Sequence, residues 1–199
     1  MATKIKIKAI DGKLLFEHEC TDNTIRTTLE FAVTQCIDLS RANLYRAYLE
    51  YANLEGANLK GADMLCANLE GANLVDADLK GANLVDAVLK SANMVGADLT
   101  DADMLCGNLE GANMLCANLE GANMASVDLK YVILAGANLK DVNLAGANLN
   151  CANLKGANLK GANLKCANLK GANLEGVNLK DADMLCTNLE GANLEGAIL

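Results

Sequence analysis

Leucine or methionine occupies every fifth position through most of this chain. Every position whose number ends in 4 or 9, from Leu39 to Leu199, is Leu or Met, which gives 33 consecutive units without a register slip. Two residues before each of these positions the chain carries Ala, with seven departures: Ile37, Gly107, Val127, Val132, Val142, Val177 and Thr187. A pattern this regular predicts a repeat structure in which each unit stacks on its neighbours.

The period of five fits neither regular secondary structure. On an α-helix, five residues advance about 500°, so the Leu positions would spiral around the axis rather than form one buried stripe. On a continuous strand, an odd spacing puts successive Leu side chains on opposite faces. We therefore predict that each unit is a short extended segment followed by a corner, with Leu and Ala pointing inward and the other residues outward.

The pattern Ala-(Asn/Asp)-(Leu/Met)-X-X, as in residues 57–61, resembles the pentapeptide-repeat family, and the match covers about four-fifths of the chain. The resemblance implies an all-β solenoid: a right-handed, four-sided parallel β-helix with four units per coil and a Leu-lined core. In this chain it would have about eight coils and a length of roughly 38 Å. Because members of the family do different things, the resemblance implies a fold and says little about function.

Two residue types recur at a spacing of 20, which favours four units per coil. A square coil would stack them in columns: Cys66, Cys106, Cys166 and Cys186, and likewise Met64, Met104, Met124 and Met184. Recent duplication explains the spacing equally well, because the sequence Ala-Asp-Met-Leu-Cys recurs at 62–66, 102–106 and 182–186. Both explanations stay open at this point.

Residues 1–36 lack the repeat and are predicted to form a separate cap, with the β-helix spanning 37–199. Residues 4–19 read as a β-hairpin with Asp11-Gly12 in a type I′ turn. Pairing Ile10 with Lys13 sets apolar residues on one face and opposite charges across the other. The apolar face would hold Ile5, Ile7 and Ala9 opposite His18, Phe16 and Leu14, and the charged face would pair Lys6 with Glu17 and Lys4 with Glu19.

A helix is predicted to follow, capped by the short polar side chains of Thr21, Asp22 and Asn23. Its apolar face would carry Ile25, Leu29, Ala32, Val33 and Cys36, while Phe31 would meet the hairpin. We interpret the hairpin and helix as a plug over the first coil, because an open β-helix end exposes apolar interior and unpaired strand edges.

Outward-facing residues fall into four columns, taken as the residue after each central Leu or Met. The first face carries Ser40, Lys60, Lys80, Thr100, Glu120, Lys140, Lys160 and Lys180. The second carries Tyr45, Leu65, Val85, Leu105, Ala125, Ala145, Lys165 and Leu185. The third carries Glu50, Glu70, Lys90, Glu110, Lys130, Asn150, Lys170 and Glu190. The fourth carries Glu55, Val75, Val95, Leu115, Ala135, Lys155, Glu175 and Glu195.

The second face is mostly apolar and is the candidate surface for a protein partner, with five residues proposed as the site: Tyr45, Leu65, Val85, Leu105 and Leu185. A contiguous exposed apolar stripe often marks such a surface. The alternative is that aliphatic residues simply suit a flat sheet.

Charge raises a second hypothesis. The formal net charge is −8, and residues 41–130 hold 13 acidic and 6 basic side chains, whereas residues 131–199 hold six of each. Some members of the resembled family protect DNA gyrase by imitating duplex DNA, and an acidic rod would suit that role. The lysine column on the first face and the neutral C-terminal half weigh against it.

The last repeat ends in register and has no predicted plug. The end is frayed, or the chain is truncated, or the end pairs with a second copy, as the resemblance implies. A twofold dimer would cover the candidate dimer end, defined by Leu189, Leu194, Ile198 and Leu199.

The sequence predicts no enzyme, metal site or cofactor. The single His18 falls on the apolar side of the hairpin, and Ser is scarce, with no base beside it. There is no Cys-x-x-Cys pair, although Cys166 and Cys186 would lie one coil apart. No apolar run suits a membrane span or a secretion signal, and no direct binding of nucleic acid is expected. We predict a cytoplasmic, non-enzymatic interaction or scaffold protein, with gyrase binding as the alternative.

Overall fold

The computed structural model describes residues 2–199. Two antiparallel strands, β1 (Ala2–Lys8) and β2 (Leu14–Thr21), precede the helix α1 (Ile25–Thr34). The rest of the chain is a rod in which each residue before a central Leu forms a parallel bridge with the residue 20 positions later, from Asn43↔Asp63 to Asn178↔Ile198. This spacing confirms four five-residue sides per coil, and the fold is the predicted right-handed, all-β solenoid.

The core is a column of inward-facing Leu, Met and Ala side chains. Every central Leu or Met from Leu39 to Leu179 is buried, and nearly all of these side chains have no exposed surface. Each side of the coil contributes one such residue, so four of them meet in each layer and stack on the layers above and below. This explains why the period is five: one residue per side points inward, and the chain turns before the next.

The corners are type II turns. In each, the residue two after the central Leu has a positive φ, between 53° and 70° over the corners from Arg41 to Gly196. The N–H of the next residue donates to the carbonyl of the central Leu, as from Ala62 to Leu59 at 2.9 Å. Gly suits this conformation, yet Asp, Cys, Ser, Tyr and Arg also occupy it. Hydrogen bonds between coils compensate, as from Leu119 N–H to the Asn138 carbonyl at 2.7 Å.

The hairpin has the predicted register over most of its length but a different turn. Lys4 lies opposite Glu19, and Ile7 opposite Phe16. A bulge then pairs Lys8 with Leu14, so the predicted Ile10–Lys13 and Ala9–Leu14 pairs are wrong. The type I′ prediction is also wrong, because Gly12 has a positive φ and Asp11 does not. Leu14 is exposed, and its neighbour Leu15 packs on the core in its place.

The helix begins later than predicted. Its N-cap is Thr24, which forms a capping box with Thr27. Asn23 instead accepts hydrogen bonds from the hydroxyls of Thr27 and Thr28, both at 2.9 Å. It also donates to the His18 carbonyl at 2.8 Å, so it ties the helix to the hairpin rather than capping the helix.

The apolar side of α1 packs on the core through Leu29 and Ala32, which are fully buried. Phe31 contacts the hairpin as predicted, with its ring centroid 4.3 Å from that of His18. The prediction that Cys36 belongs to the apolar face of the helix is wrong. Cys36 lies after the helix, in a left-handed conformation, and is exposed.

The N-terminal elements pair with the open edge of the first coil. Ile10 N–H donates to the Arg41 carbonyl at 2.9 Å, and Asn43 N–H donates to the Lys8 carbonyl at 2.7 Å. The Glu30 carboxylate accepts a hydrogen bond from the Asn53 N–H at 2.9 Å. The hairpin and helix thus cover apolar core and satisfy backbone groups that would otherwise be left unpaired.

Among the described residues, no element covers the last coil. Within residues 2–199, the N–H groups of Met184, Leu189 and Leu194 have no backbone acceptor, whereas the equivalent groups of earlier coils donate to the next coil. Leu199 is 83% exposed. In the part of the chain that the structure describes, no helix is long and apolar enough to cross a membrane.

Candidate functional site

The predicted apolar stripe on the second face is continuous over five coils. Its side chains are each half-buried, and each lies two positions after a bridging residue that holds neighbouring coils in register. They are Leu65, Val85, Leu105, Ala125 and Ala145. The spacing between neighbours along the rod is therefore about 4.8 Å, and the side chains pack into one strip. Backbone hydrogen bonds fix the strip on both sides, so it is a rigid surface.

The two ends of the predicted site differ from this strip. Tyr45 lies at the N-terminal end and is exposed, with the guanidinium of Arg46 5.0 Å from its ring centroid. Leu185 is exposed, but Lys165 separates it from the strip and pairs with Asp183 at 2.9 Å. The structure therefore does not join Leu185 to the other four predicted residues.

Carboxylates border the strip on both edges. On each coil the second face runs from one corner residue to the next, as in residues 61–66. From this coil to residues 141–146, the segments of the second face contain no Lys or Arg. Within the described chain, four of its Asp side chains form no ion pair: Asp63, Asp86, Asp101 and Asp103. A fifth, Asp141, lies 3.4 Å from Lys140. The strip is therefore apolar in the middle and negative along its edges.

Two of these carboxylates are held in place by hydrogen bonds. One oxygen of Asp63 accepts from Leu65 N–H at 3.2 Å and from the Asn83 amide at 3.0 Å. Asp103 does the same with Leu105 N–H and the Asn123 amide, at 3.2 and 2.9 Å. These contacts use Oδ1 in each case and fix the direction of the charge.

The first and third faces are charged, and several lysines pair with acids one coil away. Lys140 lies 2.6 Å from Glu120, and Lys170 lies 3.0 Å from Glu190. The hydrogen bond from Lys140 lowers the pKa of Glu120 and raises that of Lys140. Lys60, Lys80, Lys160 and Lys180 form no ion pair among the described residues, and all four lie on the first face.

The fourth face carries a second apolar patch that the sequence analysis did not single out. Val75, Val95, Leu115 and Ala135 belong to one column, and Ile133 replaces the usual Asn beside it. Leu115 and Ile133 are both exposed. Ile in place of Asn at position 133 was the sequence signal that could have revealed this patch. Its position beside Leu115 becomes evident only when the coils are stacked.

Three tyrosines cluster on the first coil, and two of them were also missed. Tyr48 and Tyr51 are more exposed than Tyr45, and all three lie within seven residues of sequence. Aromatic residues are enriched at protein interfaces. The local density of Tyr was the signal that could have found them.

An exposed groove lies at the capped end of the rod and is lined by residues of both the cap and the first coil. It has a volume of about 300 Å³ and lies where the end of α1 meets the first coil. Its lining is Val33, Cys36, Ile37, Asp38, Glu55, Gly56, Ala57 and Asn58. The groove exists because the helix is docked on the coil, which the repeat pattern alone does not show.

Residues that bear on metal or redox chemistry are dispersed. Within residues 2–199 no three His, Cys, Asp or Glu side chains are grouped as metal ligands. Cys166 and Cys186 are free, exposed thiols. His18 packs against the Phe31 ring inside the cap.

The candidate dimer end is exposed. Leu189 is half-buried, and Leu194, Ile198 and Leu199 are more than a third exposed. These four side chains and the unpaired N–H groups beside them form the open end of the core.

The sequence matches a family model described as pentapeptide repeats over residues 37–76, 67–104, 108–141, 137–176 and 162–199. A search of curated protein sequences gives no significant match. Among solved structures, HetL is a pentapeptide repeat protein involved in heterocyst differentiation regulation from the cyanobacterium Nostoc sp. strain PCC 7120. It is 34% identical, with 79% of this chain and 76% of that chain covered and a TM-score of 0.53.

Two further solved structures are less similar. Rfr23, a pentapeptide repeat protein from the cyanobacterium Cyanothece 51142, is 39% identical over 46% of this chain and 63% of its own, with a TM-score of 0.45. QnrB1, a plasmid-mediated fluoroquinolone resistance protein, is 22% identical over 70% of this chain and 78% of its own, with a TM-score of 0.41. Neither similarity is strong enough to transfer a function.

Proposed function

The chain belongs to the pentapeptide-repeat family, and we propose that it is a non-enzymatic interaction or scaffold protein whose second face binds a protein partner. The observation that supports this is the continuous strip formed by Leu65, Val85, Leu105, Ala125 and Ala145. Apolar side chains held half-exposed on a rigid surface lose little conformational entropy on binding, which favours association.

Substitutions on opposite faces test this proposal. Leu65→Glu and Leu105→Glu place charge on the strip, and Leu115→Glu is the matched control, because Leu115 occupies the same repeat position on the fourth face. All three proteins are expected to fold, since these side chains point outward. In quantitative capture experiments, the wild type and Leu115→Glu should retain the protein partner. Leu65→Glu and Leu105→Glu should not bind it. Equal retention by all four proteins would rule out the second face.

We further propose that the protein is a homodimer joined through the exposed end of its last coil. The support is the open core at Leu194, Ile198 and Leu199, together with the unpaired N–H groups of that coil. Replacing Ile198 and Leu199 with Lys should give the monomer mass in light scattering. An unchanged mass would eliminate this interface.

A cytoplasmic location is part of the proposal. All eight cysteines are free thiols, and six of them are exposed. Free exposed thiols persist in reducing compartments, whereas an oxidising compartment favours disulfides.

Binding of DNA gyrase as a DNA mimic is the second candidate, supported by the acidic excess in residues 41–130. Protein carboxylates spaced along a rod can occupy a groove built for phosphates. The test is a supercoiling assay over a wide range of protein concentration, with and without a quinolone. Protection or inhibition would favour the mimic, and an unchanged reaction would exclude it.

A further inference from the structure

We propose that the second face binds a basic amphipathic α-helix of a partner protein. This inference rests on the proposed function, because it names the partner class for the same face. It is carried by two features of that face: the spacing of its apolar side chains and the distribution of its charges.

The spacing matches a helix lying along the rod. The strip from Leu65 to Ala145 has four intervals of about 4.8 Å, or about 19 Å in total. Successive turns of an α-helix are about 5.4 Å apart, so a helix of about 14 residues spans about 21 Å. The lengths of the strip and of the helix therefore differ by about 2 Å over four turns. Flexible Leu and Met side chains on the partner helix can adjust to a difference of this size.

The charges match a helix with lysines or arginines beside its apolar stripe. Asp101 lies at one corner of the second face and Asp86 at the other, with the strip between them. Asp63 and Asp103 are fixed beside the strip by backbone and amide hydrogen bonds. Basic residues that flank the apolar stripe of a helix would meet these unpaired carboxylates while their own methylene groups cover the strip.

The same charges disfavour a second copy of this chain as the occupant. Two second faces would bring Asp against Asp. The fourth face offers no better partner, because from residue 71 to 136 it also lacks Lys and Arg and carries Asp76. Like charges placed opposite each other across an apolar contact are unfavourable for association. The second face is also preferred to the fourth as the helix site, because its strip is one coil longer and has carboxylates at both edges.

Three labelled 15-residue peptides test the proposal by fluorescence anisotropy on the full chain under reducing conditions. The first is an amphipathic helix of Leu and Lys, the second replaces each Lys with Glu, and the third has the composition of the first in a scrambled order. We expect the first peptide to bind at least about 10-fold more tightly than either of the others. Binding to the Leu105→Glu protein should weaken by about 10-fold or more, and Leu115→Glu should change it by less than about 2-fold.

The charge component has its own variant. Asp101→Asn combined with Asp103→Asn should weaken binding by about 3-fold and reduce its dependence on salt. Equal binding of the Lys and Glu peptides would overturn the basic character of the partner while leaving the proposed function intact. Equal binding of the scrambled peptide, equal loss with Leu115→Glu, or no binding at all would overturn the helix itself. Capture experiments with the Leu65→Glu and Leu105→Glu proteins would then decide separately whether the second face binds any protein.

Discussion

Replacing Leu119 with Ala should destabilise the protein far more than replacing Leu115 with Ala. The two residues lie in the same coil, four positions apart, and the substitution is chemically identical. Leu119 points into the core and has no exposed surface, with Leu99 and Leu139, also fully buried, in the same column one coil away on either side. Leu115 points outward and is 39% exposed.

The magnitudes follow from burial. Leu→Ala removes three carbon atoms, which are worth about 0.8 kcal/mol each when fully buried, or about 2.4 kcal/mol in total. At position 119 a cavity between stacked layers adds to this loss, so we expect a decrease in the free energy of unfolding of about 2.7–5 kcal/mol. At position 115 about three-fifths of the transfer term applies and no closed cavity forms, which gives about 1.5 kcal/mol or less.

Equilibrium unfolding in urea, followed by circular dichroism, measures the difference. The midpoint should fall much further for Leu119→Ala than for Leu115→Ala, with similar slopes for the two proteins. Leu194→Ala is a third variant, since that Leu belongs to the open last coil and its loss should cost less than the loss at 119. Equal destabilisation at 115 and 119 would show that the inward and outward positions have been assigned incorrectly.

Three further predictions concern single contacts. Partial burial acts to raise the pKa of Asp98, but hydrogen bonds from the hydroxyl and N–H of Thr100 hold it below the ordinary value; Thr100→Val should raise it in an NMR titration. The pKa of Asp98 is lower in the folded than in the unfolded protein, so the Asp98 carboxylate stabilises the fold above about pH 4. This stabilisation is lost as the pH falls further, and the loss should be smaller in Thr100→Val. Gly121→Ala and Gly81→Ala, at the same corner two coils apart, should lower the urea unfolding midpoint by similar amounts: both have positive φ, and the Asp101 oxygen that the new Cβ at 121 would meet at 2.6 Å belongs to an exposed side chain that can rotate away. Glu30→Ala should speed hydrogen exchange of the Asn53 amide, whereas Glu30→Gln keeps an acceptor and should preserve protection.

The solenoid could be predicted from the sequence because the repeat leaves one consistent solution. Leu at every fifth position is incompatible with one face of a helix or a strand, and the bridges at a spacing of 20 confirm the four-sided coil. The hairpin turn could not be predicted, because its shape depends on docking. Ile10 donates to Arg41 of the first coil rather than pairing with Lys13, and this contact between distant parts of the chain overrides the local preference of Asp11-Gly12.

The outward columns of the second face could also be predicted, since a period of 20 assigns each residue to a side. What the columns did not show is which side chains become neighbours across them. Ile133 and Leu115 stand in different columns and different coils, yet the bridge between Asn113 and Ile133 places them on one patch. The column does show that Lys165 interrupts the strip, but it does not show that Lys165 pairs with Asp183 of the next coil on the same face.

The difference between the two ends of the rod limits how copies can associate. At the first coil, the backbone groups of Arg41, Asn43 and Asn53 already bond to Ile10, Lys8 and Glu30. Within residues 2–199, the last coil leaves the N–H groups of Met184, Leu189 and Leu194 without a backbone acceptor, and its core is exposed at Leu194, Ile198 and Leu199. Copies that stacked head to tail would form an open filament, but that arrangement needs two open ends. Because the cap covers the apolar core at the first coil, the proposed association through the last coil would stop at two copies, which is a closed assembly.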